Sequence, residues 1–516
     1  MIAFQEQLFT ELRGLVADLG KDGGLISPAI YDTAQLLRLY PPPEGVEPGL
    51  NWLISQQEAD GGWGDPAVPT ARDVPTLAAL LAIFTYCRDR ASRKLINAGL
   101  EFLEHQSEQW MEVHIDTFPV ATEMLLPYLI HEACEVGLTI DPTPYARLFE
   151  LREKKLQYIR QKPLKPGTPP AHSWEALGLD ADASLLNGSG SVGHSPAATA
   201  AWLKSAAGKN HLQDYIPIAE RYLSEAAKAT GIDIPGVVTN PFPIAGYELS
   251  YGLYALHIAG IINHGLLSES IARQGEELYQ ILTTGSGVSF GNFFVPDVDC
   301  TSTAVVVLYS LGYDMDPGYI WQFQNEAHFY TYKNELNPSI LSNAHALYAL
   351  TLCGERAPST EEFLLERQQP QGHWFPDKWH SSWRYMTMET ILTLLVLGYD
   401  EHAQSTVHAI IEDQRVDGGW GMTDTSSTLE TAYCILALQT LYAKDDLNDE
   451  AIAALKRGYH WLLENYNNDI LDQEPYWYCK ELYSPYRIDR IYVLSALLSV
   501  INTDIFPVPE VPHLIC

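Results

Sequence analysis

An all-α fold is predicted by three features of this sequence. Apolar residues recur at three- and four-residue intervals over many stretches, and alternating strand patterns with hairpin turns are nearly absent. Gly and Pro fall between the periodic stretches rather than within them. In chain order, residues 77–85, 198–206, 251–262, 302–311, 344–352, 389–397 and 430–441 each carry the helical spacing. The Pro- and Gly-rich segments 40–48 and 162–170 end one helix and begin the next.

Composition narrows the class further. At 516 residues and 57.6 kDa the chain is too long for one ordinary core and is expected to form two or three domains. Apolar residues at 46% and charged residues at 19% are globular proportions. Thirty-two Lys and Arg against 65 Asp and Glu give a net charge of −33, a field that repels phosphate backbones and argues against nucleic-acid partners. The longest apolar runs, 76–86 and 390–398, fall short of the roughly 18 residues a membrane span requires. Residues 1–13 show no secretory leader pattern, and the seven cysteines include no C-x-x-C pair. The expectation is a reduced, cytoplasmic, acidic protein.

A repeat is visible across the chain. Gln57-Glu58-Ala59-Asp60-Gly61-Gly62-Trp63-Gly64 recurs as Gln414-Arg415-Val416-Asp417-Gly418-Gly419-Trp420-Gly421. A degenerate copy reads Gln369-Pro370-Gln371-Gly372-His373-Trp374. Each copy lies between helical segments. Gly permits a positive φ at the helix exit, Trp can cap the neighbouring helix ends, and Gln can bond exposed backbone there. Helix pairs joined in this way stack into a ring, an α/α barrel. The repeats specify architecture rather than chemistry.

Two motifs mislead. Gly188-Ser189-Gly190-Ser191-Val192-Gly193 spells G-x-G-x-x-G without a preceding strand, so a loop opening the helix at Ser195-Pro196 accounts for it. Asp445-Asp446-Leu447-Asn448-Asp449 spells an ionising metal motif but lies in a polar, charged stretch with no companion motif, and is expected to be a solvated loop.

The segment Pro296-Asp297-Val298-Asp299-Cys300-Thr301-Ser302-Thr303 is the strongest chemical signal. Aspartates at a helix N-terminus cap it, which supplies a purely structural reason for the pair. Two close carboxyls at the mouth of a dry cavity, however, cannot both ionise cheaply, so one keeps a proton near neutral pH. In an aromatic chamber that proton can be given to an alkene, and ring faces can stabilise the cation that forms. Tyr, Phe and Trp number 29, 15 and 12, although core packing explains most of them.

Taken together, the Gln…Asp-Gly-Gly-Trp repeats and Asp297-Val298-Asp299 resemble class II terpene cyclases, in particular bacterial diterpene cyclases of the copalyl diphosphate synthase type. Further matching segments include Tyr31-Asp32-Thr33-Ala34, Pro119-Val120-Ala121-Thr122-Glu123 and His172-Ser173-Trp174-Glu175. Others are Val238-Thr239-Asn240-Pro241, Asp377-Lys378-Trp379-His380 and Lys480-Glu481-Leu482-Tyr483. The resemblance implies two α/α barrels, β and γ, with the active site between them. Residues 1–40 would be the N-terminal segment of β, 41–240 an inserted γ domain, and 241–516 the rest of β.

The same resemblance implies the roles. Asp299 would be the general acid and Asp297 would polarise it. Cys300 stands where the common motif has a third aspartate. His172 and Asn240 would hold a water acting as terminal base, although a helix-capping role also suits His172. Lys155, Lys378 and Lys480 would meet the substrate diphosphate. Mg²⁺ would be bound through Glu112 and Asp116, where the family's full acidic motif is not reproduced.

The implied reaction is an isomerisation. The terminal alkene of geranylgeranyl diphosphate is protonated, two rings close, and a proton is lost with the diphosphate retained. The product skeleton is labdane or copalyl type, or rearranged to halimadane or clerodane. Farnesyl diphosphate giving drimenyl diphosphate is the alternative substrate. A homodimer and a downstream class I terpene synthase acting on the product are the implied partners. Two competing readings are a barrel resembling a protein prenyltransferase subunit, whose zinc-ligand spacing fails here, and a catalytically dead barrel marked by Cys300.

Overall fold

The computed structural model describes residues 2–501 except 88, 113–117, 162, 334, 336, 445 and 446. After α1 (Ile2–Ala17) come α2 (Ile30–Leu39), α3 (Glu47–Ser55), α4 (Asp73–Tyr86), α5 (Arg90–Gln106), α6 (Thr122–Glu135), α7 (Ala146–Ile159), α8 (Pro196–Ala206) and α9 (Ile216–Lys228). The second group is α10 (Ala245–Ile258), α11 (Ser268–Gly285), α12 (Val298–Ser310), α13 (Gly318–Trp321), α14 (Ile340–Leu352) and α15 (Pro358–Glu366). It continues with α16 (Trp383–Leu397), α17 (Asp400–Glu412), α18 (Thr428–Tyr442), α19 (Asp449–Asn465) and α20 (Tyr486–Ile501). Two short antiparallel hairpins pair β1 (Gln324–Asn325) with β2 (His328–Phe329), and β3 (Trp477–Tyr478) with β4 (Leu482–Tyr483).

Burial sorts these helices into two concentric rings. Residues 298–308 of α12 and 340–350 of α14 are buried on every face. Such helices belong inside. By contrast α11 buries Ile271, Gln274, Gly275, Leu278 and Leu282, a single stripe that leaves its other face to water. The inner helices α10, α12, α14, α16, α18 and α20 pack each on the next, and α20 returns to α10 to close the ring. Around it lie α11, α13, α15, α17, α19 and α1. A smaller ring closes through α2, α4, α6, the 3₁₀ segment Pro169–Ala176 and α8, with α3, α5, α7 and α9 outside.

One element departs from expectation. The N-terminal segment 1–40 was expected to pack wholly with the larger barrel, and α1 does, burying Leu8, Phe9, Leu12 and Val16 there. The α2 helix instead closes the smaller ring, with Tyr31, Ala34 and Leu37 in that ring's core and Leu36 and Leu39 in the cluster beside it. The Pro- and Gly-rich segment at 40–48 therefore joins α2 of the smaller ring to α3 outside it, within one barrel.

The repeats act as girdles between outer helices. Trp63 Nε1 donates back to Leu53 O in α3 at 2.7 Å, while Gln57 Nε2 reaches forward to Leu95 O in α5 at 3.0 Å. Trp420 Nε1 likewise bonds Ile410 O of α17 at 2.8 Å, and Gln414 Nε2 bonds Ala454 O of α19 at 2.8 Å. In the degenerate copy the functional glutamine is Gln368, not Gln369: Gln368 Nε2 bonds Gly372 O at 2.8 Å and His402 O at 3.0 Å. The reason is register. The girdle needs Gln six residues before Trp, and Gln368 stands six before Trp374. Gly61 and Gly418 hold φ of +92° and +100°, the left-handed conformation needed where they close the turns from Glu58 and Arg415.

The misleading motifs resolve simply. Residues 188–193 form a turn around the Asn187 carboxamide, and Ser195 caps α8 through Ala198 N at 3.0 Å. Of the acidic motif, Asn448 caps α19, whereas Asp445 and Asp446 lie outside the described residues. Among the described residues no helix is long and apolar enough to cross a membrane.

Replacing Gln414 with Ala leaves the carbonyls of Gly418 and Ala454 without this donor. The larger ring should lose about 1–2 kcal/mol of stability, read as a lower apparent melting temperature. Gln369→Ala, one residue off the girdle position in the degenerate copy, should cost less than Gln368→Ala.

Candidate active site

The α12 helix begins where the aspartate pair stands. Asp297 is its N-cap, with Oδ1 accepting from Cys300 N at 2.7 Å, so the capping role is real. Its Oδ2 is buried without a hydrogen-bond partner. Burial, with a smaller contribution from Asp299, pushes the Asp297 carboxyl up to about 8 despite the bond from Cys300. This carboxyl keeps its proton at neutral pH.

Asp299, two residues on in the first turn of α12, meets a different environment. Its Oδ1 lies 2.6 Å from His345 Nδ1 and its Oδ2 accepts from Ser342 Oγ at 3.1 Å. The far side of the imidazole, Nε2, lies 3.2 Å from Glu389 Oε2. Burial pulls the imidazole pKa down, but Asp299 and Glu389 outweigh it and raise it to about 10. His345 is thus an imidazolium between two carboxyl groups. The α14 helix supplies Ser342 and His345, and α16 supplies Glu389, held in turn by Tyr254 OH at 2.9 Å. The sequence had proposed Asp297 as the tuner of Asp299; the nearer partner is His345. His345, Ser342 and Glu389 escaped the sequence reading because they are scattered through mainly apolar inner helices and belong to no motif. A titratable residue within such a helix was the available signal.

Asp297 and Asp299 line a pocket walled mainly by aromatic rings. Tyr247 and Tyr251 come from α10, Phe290 from the loop before α12, Thr331 and Tyr332 from the turn after β2, and Trp379 from the approach to α16. Trp477, Tyr478 and Tyr483 come from the β3–β4 hairpin. Tyr247 stacks on Phe290 at 5.0 Å, and Trp477 meets Tyr247 and Tyr251 edge-on at 5.4 and 5.6 Å. The indole of Trp477 is fixed by its Nε1–H bond to Asp489 Oδ1 at 3.1 Å. Ring faces around a carboxylic acid can hold a developing cation that water would otherwise quench.

The remaining predicted residues separate. His172, in the 3₁₀ segment, is buried, with Nδ1 2.7 Å from Gly193 O and Nε2 3.2 Å from Cys479 Sγ. Burial pushes its pKa down to about 3, aided by Lys480. Asn240 is buried with neither side-chain polar atom hydrogen-bonded. Lys378 bonds Glu335 Oε2 and Asn337 O, both at 2.8 Å, and lies 5.4 Å from the centroid of the pocket residue Trp379. Lys155 is ion-paired with Glu123.

Lys480 is not placed to meet a substrate. It is fully buried, donating to Glu175 Oε1 at 2.7 Å and Ser195 Oγ at 2.6 Å, with Asp32 Oδ1 3.9 Å away. These acidic partners belong to the smaller ring and consume the charge internally. As for metal, Glu112 is exposed, Asp116 lies outside the described residues, and among the described residues no three His, Cys, Asp or Glu side chains converge as a metal group.

Paired α/α rings with two neighbouring aspartates at an aromatic pocket, Asp297 holding its proton, form a setting suited to protonating and cyclising an alkene. Similarity to known proteins agrees. A family model described as the squalene-hopene cyclase C-terminal domain matches residues 346–493. The (+)-kolavenyl diphosphate synthase of Herpetosiphon aurantiacus is 42% identical over 508 residues, covering 96% of this chain and 97% of its own. An ent-copalyl diphosphate synthase of Streptomyces sp. KO-3988 is 29% identical over 496 residues, with 92% of each chain covered. The solved ent-copalyl diphosphate synthase from Streptomyces platensis matches with a TM-score of 0.80 at 26% identity, over 96% of this chain and 99% of that one. This chain belongs to the class II diterpene cyclase family.

Two outcomes follow from the site's electrostatics. A folded Asp297 that holds its proton to about 8, against about 4 when unfolded, contributes stability that is complete below pH 4. That contribution is lost as pH rises through about 8. Melting temperature should therefore fall between about pH 4 and about pH 8, and Asp297→Asn, which cannot ionise, should flatten that decline. Lys480→Met strands Glu175 and Asp32 in the interior and should cost about 3–5 kcal/mol. Substrate affinity of the fraction that folds should stay close to wild type.

Proposed function

We propose that this enzyme protonates the terminal alkene of geranylgeranyl diphosphate with Asp299 and closes two rings, retaining the diphosphate. The observation that carries this reading is the 2.6 Å contact between Asp299 and a buried His345 imidazolium at the wall of an aromatic pocket. An alkene is a very poor base, so its acid must be strong. An imidazolium donating Nδ1–H to one oxygen withdraws electron density from the carboxyl group and stabilises the carboxylate left after proton transfer. Asp297, protonated beside it, adds no competing negative charge. The added proton opens the terminal alkene to a tertiary cation. Two C–C bonds form from the internal alkenes, and a final C–H proton leaves, so atoms and charge balance as an isomerisation.

The 42% identity to (+)-kolavenyl diphosphate synthase supports a rearranged, clerodane-type skeleton formed by hydride and methyl shifts after ring closure. His172 and Asn240 are the proposed residues governing where that cation loses its proton. Lys378, beside the pocket wall, and Lys155 are the proposed contacts for the diphosphate; Lys480 is withdrawn from that role by its burial. Mg²⁺, when bound, would screen the diphosphate charge in a chain of net charge −33. The retained diphosphate leaves chemistry for a downstream enzyme that ionises it, which fits a class I terpene synthase.

Incubation with geranylgeranyl or farnesyl diphosphate, followed by dephosphorylation and mass spectrometry, tests the substrate. The C20 substrate should give a bicyclic alcohol and the C15 substrate little product; preference for C15 would make the enzyme a drimenyl-type cyclase instead. Asp299→Asn should reduce turnover by at least about 10²–10⁴-fold, the usual weight of a general acid, while substrate binding persists. His345→Ala should also lower kcat, with KM little changed, because the imidazolium assists the proton transfer and not the binding.

A further inference from the structure

The β3–β4 hairpin carries a thiol whose position bears on how the reaction ends. Cys479, Lys480 and Glu481 form its turn, between Trp477–Tyr478 and Leu482–Tyr483. Trp477, Tyr478 and Tyr483, which flank the turn, all face the pocket. Cys479 itself is buried, with its Sγ 3.2 Å from His172 Nε2.

The partners fix the direction of that bond. Gly193 O can only accept, and it lies 2.7 Å from His172 Nδ1, so Nδ1 carries the imidazole proton. A Cβ at Gly193 would come within 2.4 Å of His172 N, so the glycine permits this close approach. Nε2 is then the acceptor, and the Cys479 S–H donates to it. Burial holds both groups neutral, pushing the imidazole down to about 3 and the thiol well up. A histidine whose donor and acceptor are both taken by protein has no nitrogen left for a water. The buried amide of Asn240, by contrast, has both polar atoms unbonded.

We propose that Cys479 is a specificity-determining positioning residue: by occupying Nε2 of His172 it denies that site to a proton-accepting water, so the first bicyclic cation survives to rearrange. The proposal rests on the cyclase reading above. Removing the thiol leaves a space of about one water beside a ring nitrogen, and such a space with a polar partner fills. Water there can take a proton from, or add to, the unrearranged cation before any shift occurs.

The test is the product ratio of Cys479→Ala and Cys479→Ser with geranylgeranyl diphosphate, read by mass spectrometry after dephosphorylation. Cys479→Ala should raise the ratio of unrearranged or hydroxylated labdane-type product to rearranged product by about tenfold, the equivalent of one hydrogen bond. Cys479→Ser keeps an O–H donor and should stay within about threefold of wild type. Should the Ala protein not fold, Cys479→Gly opens the same space and carries the same expectation. An unchanged ratio in the Ala or Gly variant overturns the proposal, as does an equal shift in Ala and Ser. Wild type yielding only unrearranged labdane-type diphosphate would overturn it while leaving the cyclase reading intact. Wild type converting neither prenyl diphosphate would instead defeat the cyclase reading.

Discussion

The placement of the site depends on one buried cation. Lys480 has no solvent exposure and is satisfied by Glu175 and Ser195 of the smaller ring, with Asp32 close by. An ammonium group so deeply buried is tolerable only with its charge matched at short range, so the hairpin that carries it is locked to the other ring. The neighbouring residues strengthen the lock. Glu481 accepts from the N–H groups of Ile30 and Tyr31 at the start of α2, at 2.6 and 2.8 Å. Cys479 O accepts from Val120 N at 2.7 Å. Because Trp477, Tyr478 and Tyr483 belong to the same hairpin, the bonds that join the rings also aim the aromatic wall.

The proposed acid, Asp299, sits in a row of paired groups of its own. Elsewhere such pairing serves structure, as where Arg384 meets Glu430 and Asp413. The Asp299–His345–Glu389 row differs in ending at the aromatic pocket, which Asp299 lines. The inner ring makes this affordable. Three successive inner helices each contribute one residue to the row, and the burial of those helices keeps bulk water from the proposed acid. Capping and chemistry share the first turn of α12, where Asp297 caps the helix with one oxygen and keeps the other facing no partner.

What the outer helices contribute is closure. The Gln…Trp repeats tie α3 to α5, α15 to α17 and α17 to α19, the Trp bonding the backbone of the preceding helix and the Gln that of the following one. These bonds involve backbone carbonyls, so they depend on helix ends meeting rather than on which side chains face the lumen. The two rings can therefore share a girdle motif while Asp297 and Asp299 stand in the larger.

The amino-acid sequence alone was enough to identify an all-α chain, a ring architecture and the acidic motif. Each of these is local: helical spacing, a girdle of six to eight residues, two aspartates one residue apart. All seven stretches read as helices lie in the two inner rings, because those helices are the most apolar, whereas amphipathic outer helices such as α5 and α19 show only one buried stripe. Tertiary structure decided the rest. The membership of α2 depends on which core its two apolar faces enter, and the true partner of Asp299 lies 46 residues away on another helix. Lys480 and the diphosphate candidates look alike as lysines in a sequence. Only folding shows that one meets buried carboxylates 305 residues distant, since a charge's role is set by what the chain brings within a few ångströms of it.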